Sequence, residues 1–226
     1  MSGDSTRSAP SPPPPEPPTG DFGSLVTTCL RQPEALRRLI GEEASTRTRL
    51  LVMILPAMAL VGLLMATFSG GFQLRAVPLK VVAGTLAAMA VCLPSLFVFS
   101  NLAGSGIDFR QALGSMMLAV AVLAMVLLAL APVALVFSLS TDSSALVGWI
   151  HVGFLLVAAW FGGSALKRVW GPSAESGSPA GLWMVLFVVV MLQLSTTLRP
   201  LLGEYEPLDF AEKKVFVEHW LGGEDD

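Results

Sequence analysis

Four polar side chains stand together near the end of the last long apolar stretch: Gln193, Ser195, Thr196 and Thr197. Amides and hydroxyls of this kind bond helices to one another in lipid. They can also line a small cavity. The first interpretation makes the cluster a packing device, and the second makes it a candidate binding or permeation site. The sequence leaves both open, and we favour packing.

A hydrolytic site is a second candidate, because residues 162–164 (GGS) are similar to the serine motif of intramembrane proteases. His151 is the nearest candidate base. It precedes Ser164 by thirteen residues on the same expected helix, which at 1.5 Å per residue is a separation of ~20 Å. A nucleophile and its base must lie within hydrogen-bond reach. We therefore expect no enzymatic activity, and we interpret Gly162 and Gly163 as points of close helix packing.

Other chemical sites find little support in the residue types. There is no pair of aspartates inside an apolar stretch and no HExxH motif, and His151 and His219 alone do not complete a metal site. Cys29 and Cys92 give no disulfide framework. No basic patch indicates nucleic acid. We expect no metal, no cofactor and no nucleic-acid partner.

All Lys, Arg, Asp and Glu residues fall outside five long charge-free stretches, residues 50–74, 81–107, 111–141, 143–166 and 176–198. A helix needs ~20 apolar residues to cross the ~30 Å hydrocarbon core of a bilayer. Ionised side chains at the bilayer centre are costly. The chain is 53% hydrophobic and 14% charged, and soluble domains carry about 25% charged residues. The pattern predicts an all-α integral membrane protein with five transmembrane helices.

The predicted bundle occupies residues 50–200, and three flanking segments differ from it in composition. Residues 1–20 are rich in proline and serine, and we expect a disordered leader. Residues 21–49 predict a juxtamembrane amphipathic segment in the headgroup plane. Residues 201–226 predict an acidic tail with a short C-terminal helix. Breaks are expected at Ser69-Gly70-Gly71 and at a glycine-containing turn over residues 101–111.

The distribution of positive charge predicts the orientation of the bundle. With a cytoplasmic N-terminus, eight Lys and Arg residues near the spans lie on the cytoplasmic side and five lie opposite. Because positively charged loops stay in the cytoplasm, we expect the C-terminus to be extracytoplasmic. Trp149, Trp170 and Trp183 stand near the ends of apolar stretches, which is typical of tryptophans in the membrane interface.

Two flanking segments are candidate contact surfaces. Their expected interface residues are Leu36, Arg37, Arg38 and Ile40 in the first segment, and Phe210, Val217 and Trp220 in the tail helix. A simple membrane anchor is the alternative role of the first segment. Membrane lipids and other membrane proteins are the expected partners, and a homo-oligomer is compatible with these surfaces.

Several short strings give the chain a family resemblance. They are FSGGFQ at 68–73, LPSLFVF at 93–99, LAP at 130–132, LRPLLG at 198–203, and the Gln32-Pro33 helix start before the first span. Over residues 24–203 the chain resembles bacterial five-span membrane proteins with a Yip-type domain (Ypt/Rab-interacting membrane proteins). The resemblance implies five helices, a cytoplasmic N-terminus and no catalytic residues. Eukaryotic relatives act in vesicle trafficking and membrane shaping through small GTPases, a partner that we do not transfer to a bacterial-type chain.

Two functions follow as hypotheses. The first is a non-enzymatic scaffold, assembly or membrane-shaping protein of the bacterial inner (plasma) membrane. The second is a transporter or channel component for a neutral or lipidic substrate, which would use kinks at Pro94 and Pro132 and the polar groups at 193–197. The scarcity of ionisable residues inside the stretches disfavours transport of protons or ions.

Overall fold

The computed structural model describes residues 22–31, 33–36, 40–41, 43–69, 73–102, 104, 106–140, 144–170 and 179–197. These ranges contain six α-helices and a short 3₁₀-helix, and no β-strand. The α-helices are α1 (Phe22–Arg31), α2 (Ala44–Ser69), α3 (Gln73–Leu102), α4 (Phe109–Ser140), α5 (Ser144–Trp170) and α6 (Pro179–Thr197). The 3₁₀-helix, Pro33–Leu36, lies between α1 and α2.

Four of these helices are long and apolar enough to cross a membrane. Their candidate spans are Ala44–Ala66, Ala76–Leu102, Phe109–Phe137 and Leu146–Trp170. Helix α6 is also apolar, over the shorter range Ala180–Leu194. The helical class is therefore confirmed, and the four long helices indicate an integral membrane protein. A fifth crossing by α6 stays a prediction.

Local sequence signals explain the helix boundaries. Helix α2 ends at Ser69, immediately before Gly70 and Gly71, and α3 begins at Gln73. In the turn between α3 and α4, Gly104 and Gly106 have φ angles of 76° and 56°. Glycine takes this left-handed backbone conformation without the steric cost that a Cβ brings. The structure thus has a turn in the predicted place, but a shorter one than residues 101–111, since residues 101–102 belong to α3 and residues 109–111 to α4.

The five long helices close a ring. Helix α2 packs against α3 and α4, α5 packs against α4 and α6, and α6 packs back against α3. Helices α3 and α4 also touch across the ring, where the rings of Phe97 and Phe109 meet edge to face with centroids 5.9 Å apart. The two short elements, α1 and the 3₁₀-helix, pack on one end of the bundle. The 3₁₀-helix contacts α5, and α1 contacts α4.

Helix α4 has two different halves. Every residue from 114 to 124 is buried. Neighbouring helices cover this half of α4, together with the juxtamembrane elements, which are α1, the 3₁₀-helix and the residues around Ile40. A helix that is apolar all round is expected in such a position. Toward its other end, Val133, Val136 and Phe137 are exposed. The core of the protein therefore lies around the first half of α4, at the end where the juxtamembrane elements dock.

Candidate functional site at the juxtamembrane junction

The predicted polar cluster lies at the end of α6. Gln193 is exposed, so its side chain lies on the outer side of the ring of helices. The backbone of Ser195, Thr196 and Thr197 is helical, and their side chains lie outside the described residues. Whether the four side chains act together therefore stays a prediction.

The predicted interface residues of the first segment face inward. Leu36 is 0% exposed and Ile40 is 1% exposed, and both belong to the chain's own core. The apolar side chains of Leu36 and Ile40 therefore pack on the bundle, and the position of the segment in the headgroup plane stays a prediction. Arg37 and Arg38 lie outside the described residues. The same holds for the three predicted tail residues, Phe210, Val217 and Trp220.

Gly114 permits this docking. A Cβ atom at position 114 would lie 2.7 Å from the carbonyl oxygen of Ile40 and 2.8 Å from its Cβ. A Cβ atom at Gly41 would lie 2.9 Å from Cγ of Gln111. The backbone oxygen of Ile40 cannot rotate away, so only glycine at position 114 lets the two backbones meet here. At position 41 the close atom belongs to the exposed side chain of Gln111, which can move. The junction between the segment and α4 therefore depends on Gly114.

The carbonyl oxygens of Ile40 and Gly41, in the juxtamembrane segment, need hydrogen-bond donors, and Arg47 supplies them. Its Nη1 donates hydrogen bonds of 3.0 Å to the carbonyl oxygen of Ile40 and 3.2 Å to that of Gly41. Hydrogen bonds from a charged donor are stronger than neutral ones. The carboxylate of Glu43 accepts hydrogen bonds from the hydroxyls of Ser45 and Thr46, each 3.2 Å long. The start of α2 is therefore tied to the segment that precedes it.

A small cavity lies within this junction. Its lining residues come from the segment, from the loop before α4, from α4 and from α5: Ile40, Ile107, Gln111, Ser115, Val169 and Trp170. It has about 10 Å³ for the centre of a water-sized molecule. Trp170 is 2% exposed, and its buried indole Nε1 has no hydrogen-bond partner within the described part of the chain. Among its described residues, the junction therefore contains a buried hydrogen-bond donor without an acceptor.

Ser164 and His151 do not approach each other. Both lie on α5, where Ser164 Oγ donates a 2.7 Å hydrogen bond to the carbonyl oxygen of Trp160. Nδ1 of His151 lies 2.8 Å from the carbonyl oxygen of Val147. Such bonds to the preceding helical turn are common for short polar side chains in membrane helices. Gly162 packs closely, as the sequence predicts, because a Cβ there would lie 2.7 Å from the carbonyl oxygen of Ala119.

The two cysteines are buried and free. Burial raises the pKa of the Cys29 thiol to about 12, which keeps the thiol protonated at neutral pH. In the described ranges, no group of three or more His, Cys, Asp or Glu side chains could hold a metal ion.

Two of the three tryptophans that the sequence places near span ends are buried inside the bundle. Trp183 is 0% exposed and Trp170 is 2% exposed, whereas Trp149 is exposed. The Nε1 of Trp183 donates a 3.0 Å hydrogen bond to the carbonyl oxygen of Cys92 in α3. Position near the end of an apolar stretch therefore does not tell whether a tryptophan faces outward or packs inside the bundle, and the depth of these side chains in the membrane stays a prediction.

No family model matches the chain, and it matches no curated protein and no solved structure. The Yip-type resemblance therefore rests on the short apolar strings alone.

Proposed function

We propose that the chain is a five-span, Yip-like integral membrane protein that acts as a non-enzymatic scaffold, assembly or membrane-shaping protein. We place it in the bacterial inner membrane with a cytoplasmic N-terminus and an extracytoplasmic C-terminus. Helix α6, with 19 residues, supplies the fifth crossing, since about 20 apolar residues suffice. Membrane lipids and other membrane proteins are its partners.

Close packing where three helices meet carries this proposal. At Gly162 of α5, a Cβ would lie 2.7 Å from the carbonyl oxygen of Ala119 in α4 and 3.2 Å from Cε of Met184 in α6. A second close contact joins α2 and α3, where a Cβ at Gly62 would lie 2.8 Å from Cα of Pro78. Helices that approach at this distance leave no room for a solute between them. This packing supports a protein that works through its outer faces.

The outer faces of the spanning helices are strongly apolar. In α5 and α6 the exposed large side chains are Leu146, Trp149, Leu156, Val157, Trp160, Phe161, Leu182, Val185, Leu186 and Val189. Contiguous apolar surface of this kind marks contact with a membrane or with another protein. It supports insertion in lipid and leaves the ends of the bundle for contacts with soluble segments.

Helix α1 offers the contact surface at one end. Its Leu25 and Cys29 are buried against the bundle, while Leu30 and Arg31 on its other side are exposed. We therefore assign partner binding to the exposed side of α1 rather than to Leu36 and Ile40. A hydrophobic side chain beside a cation suits a partner that carries an apolar and an acidic group.

Co-purification in mild detergent tests this surface. A partner in near-stoichiometric amount is expected with the wild-type chain. It is expected to be lost when Leu30→Glu and Arg31→Glu are combined. Arg110→Glu is the matched control, since Arg110 is exposed on α4. Equal loss with the control would reject the assignment to α1, and no partner with the wild-type chain would reject the scaffold proposal.

The orientation has a separate test. Tags placed before Met1 and after Asp226 are expected on opposite faces of the membrane, so that only one is digested by protease in intact spheroplasts. Digestion of both tags, or protection of both, would contradict five crossings.

Transport of a neutral or lipidic substrate is the second candidate function, and Gln193 is the residue that favours it. It is an exposed amide on the otherwise apolar outer side of α6. Substitution of Gln193 with Leu removes the amide at nearly constant volume. If a transport phenotype vanishes while the variant stays inserted and folded, transport replaces the scaffold proposal. An unchanged partner profile with this variant is expected on our proposal.

A further inference from the structure

The buried indole of Trp170 points to a binding site that the scaffold proposal does not require. An indole N–H is a donor only and cannot accept a hydrogen bond. Leaving a donor buried without an acceptor is costly. Trp170 is 2% exposed, and its Nε1 lacks a partner within the described part of the chain. The nitrogen therefore requires an acceptor that the described residues around it do not supply directly.

The cavity beside Trp170 has the polarity and the size to hold that acceptor. Its lining includes the hydroxyl-bearing Ser115, itself 2% exposed, and the amide-bearing Gln111. Buried waters need two to four polar partners and at least ~10–15 Å³ of accessible volume. The cavity provides about 10 Å³, which is close to the size of one water and too small for a phosphate group.

We propose that this cavity binds one ordered water molecule, which bridges Trp170 to Ser115 and Gln111. The water oxygen accepts the indole N–H, and the two water protons are donated to the oxygens of Ser115 and Gln111. The three partners lie on two helices. Trp170 is the last residue of α5, and Gln111 and Ser115 lie in successive turns of α4. The water thus joins α4 and α5 at this end of the bundle.

The juxtamembrane segment forms one wall of the site. Ile40 lines the cavity and lies against Gly114, the residue before Ser115. Arg47 holds the carbonyl of Ile40 in place with a 3.0 Å hydrogen bond. The water is therefore a polar component of the same junction that docks the segment, and its residence depends on that docking.

The test replaces the indole N–H without changing the shape of the side chain. Benzothienylalanine, introduced at position 170 by nonsense suppression, carries sulfur in place of the N–H. If the water is bound, its best donor is lost, and we expect Tm to fall by about 2–4 °C. If the cavity is empty, an uncompensated buried donor is removed and Tm rises, which overturns the proposal. The same replacement at Trp160, which is 74% exposed, is the matched control and leaves Tm unchanged.

A double-variant cycle identifies the bridge. Ser115→Ala is expected to lower Tm in the wild-type chain and to have a smaller effect in the benzothienylalanine background, because the two groups share one water. Strictly additive effects overturn the bridge. Measurements in phospholipid nanodiscs and in phospholipid-free detergent are expected to agree. An effect that is confined to nanodiscs assigns the acceptor to a lipid oxygen and overturns the proposal.

Discussion

The indole nitrogen of Trp183 in α6 donates a 3.0 Å hydrogen bond to the carbonyl oxygen of Cys92 in α3. Ser95 Oγ donates a second hydrogen bond of 2.8 Å to the same oxygen. Pro94 lies between Cys92 and Ser95, and it removes one N–H from the helical ladder and crowds the preceding turn. In membrane helices, neighbouring helices and serine side chains satisfy backbone groups near such a proline. The carbonyl that loses its N–H partner to Pro94 is that of Ala90, four residues earlier. The Trp183 bond to Cys92 therefore joins α6 to α3 beside the proline without replacing the missing bond.

Trp183→Phe is expected to destabilise the protein. It removes the interhelical hydrogen bond and part of a buried ring that lies 5.4 Å from Phe187. The two losses together are about 1–3 kcal/mol, and thermal unfolding in mild detergent measures them. Trp160→Phe, at the 74% exposed Trp160, is the control with the same chemical change. A Tm for Trp183→Phe no lower than that of the control would show that the bond contributes nothing.

Gly162→Ala is expected to lower stability much more than Gly163→Ala. The added methyl group at 162 would lie 2.7 Å from a backbone oxygen of Ala119, which cannot rotate away. At 163 the nearest atom is Cβ of Met184 at 3.5 Å, an ordinary contact. Overpacking costs about 1–3 kcal/mol. Thermal unfolding and monodispersity on size exclusion measure the difference, and equal behaviour of the two variants would contradict the close contact between α4 and α5.

The helices themselves could be predicted from the sequence because their signals are local. Segregation of charge marks the apolar helices, and Gly70-Gly71 and the glycines at 104 and 106 mark their ends. Gly162 could be predicted as a packing position because a small residue has few other uses on an apolar helix. The same argument also predicted close packing at Gly163, where an added Cβ would make only an ordinary contact. The docking of the segment on the bundle could not be predicted from sequence, since it depends on Gly114 and Ile40 meeting across 74 positions of the chain.

The junction cavity also escapes sequence reasoning. Trp170 follows Lys167 and Arg168 at the end of an apolar helix, which is the usual pattern of an interfacial anchor. Its burial results from the 3₁₀-helix and Ile40 covering the end of α5. A pattern that describes one helix contains no information about which other elements cover it.

Gly114→Ala is expected to loosen the juxtamembrane segment. The new methyl group would lie 2.7 Å from the carbonyl oxygen of Ile40, so the segment must shift away from α4. Amide hydrogen exchange in α1 measures the result, with a roughly tenfold faster rate for each 1.4 kcal/mol of docking energy lost. Gly153→Ala is the control, since nothing lies within 4 Å of its added Cβ. Unchanged exchange in Gly114→Ala would contradict the proposed junction.

Cys29 is expected to resist thiol reagents until α1 leaves the bundle. Its side chain is 1% exposed, and burial raises its pKa to about 12. Because the thiolate is the reactive form, maleimide labelling of the folded protein is expected to be slow in a Cys92→Ala background. Labelling is expected to become fast in denaturant. Rapid labelling of the folded chain would place Cys29 outside the core.

The same thiol makes stability depend on pH. Above about pH 9 the unfolded chain releases the Cys29 proton, whereas the folded chain retains it until about pH 12. The folded state then binds more protons, so the contribution of Cys29 is present below pH 9 and is lost as pH rises toward 12. One pH unit above 9 corresponds to about 1.4 kcal/mol, or a Tm lower by about 3–6 °C. Between about pH 8 and about pH 10, the Tm of the wild-type chain should therefore fall further than that of Cys29→Ala, in which all other titrating groups are unchanged. Equal falls in the two proteins would mean that the thiol is not desolvated by the bundle, and the docking of α1 on α4 would have to be abandoned.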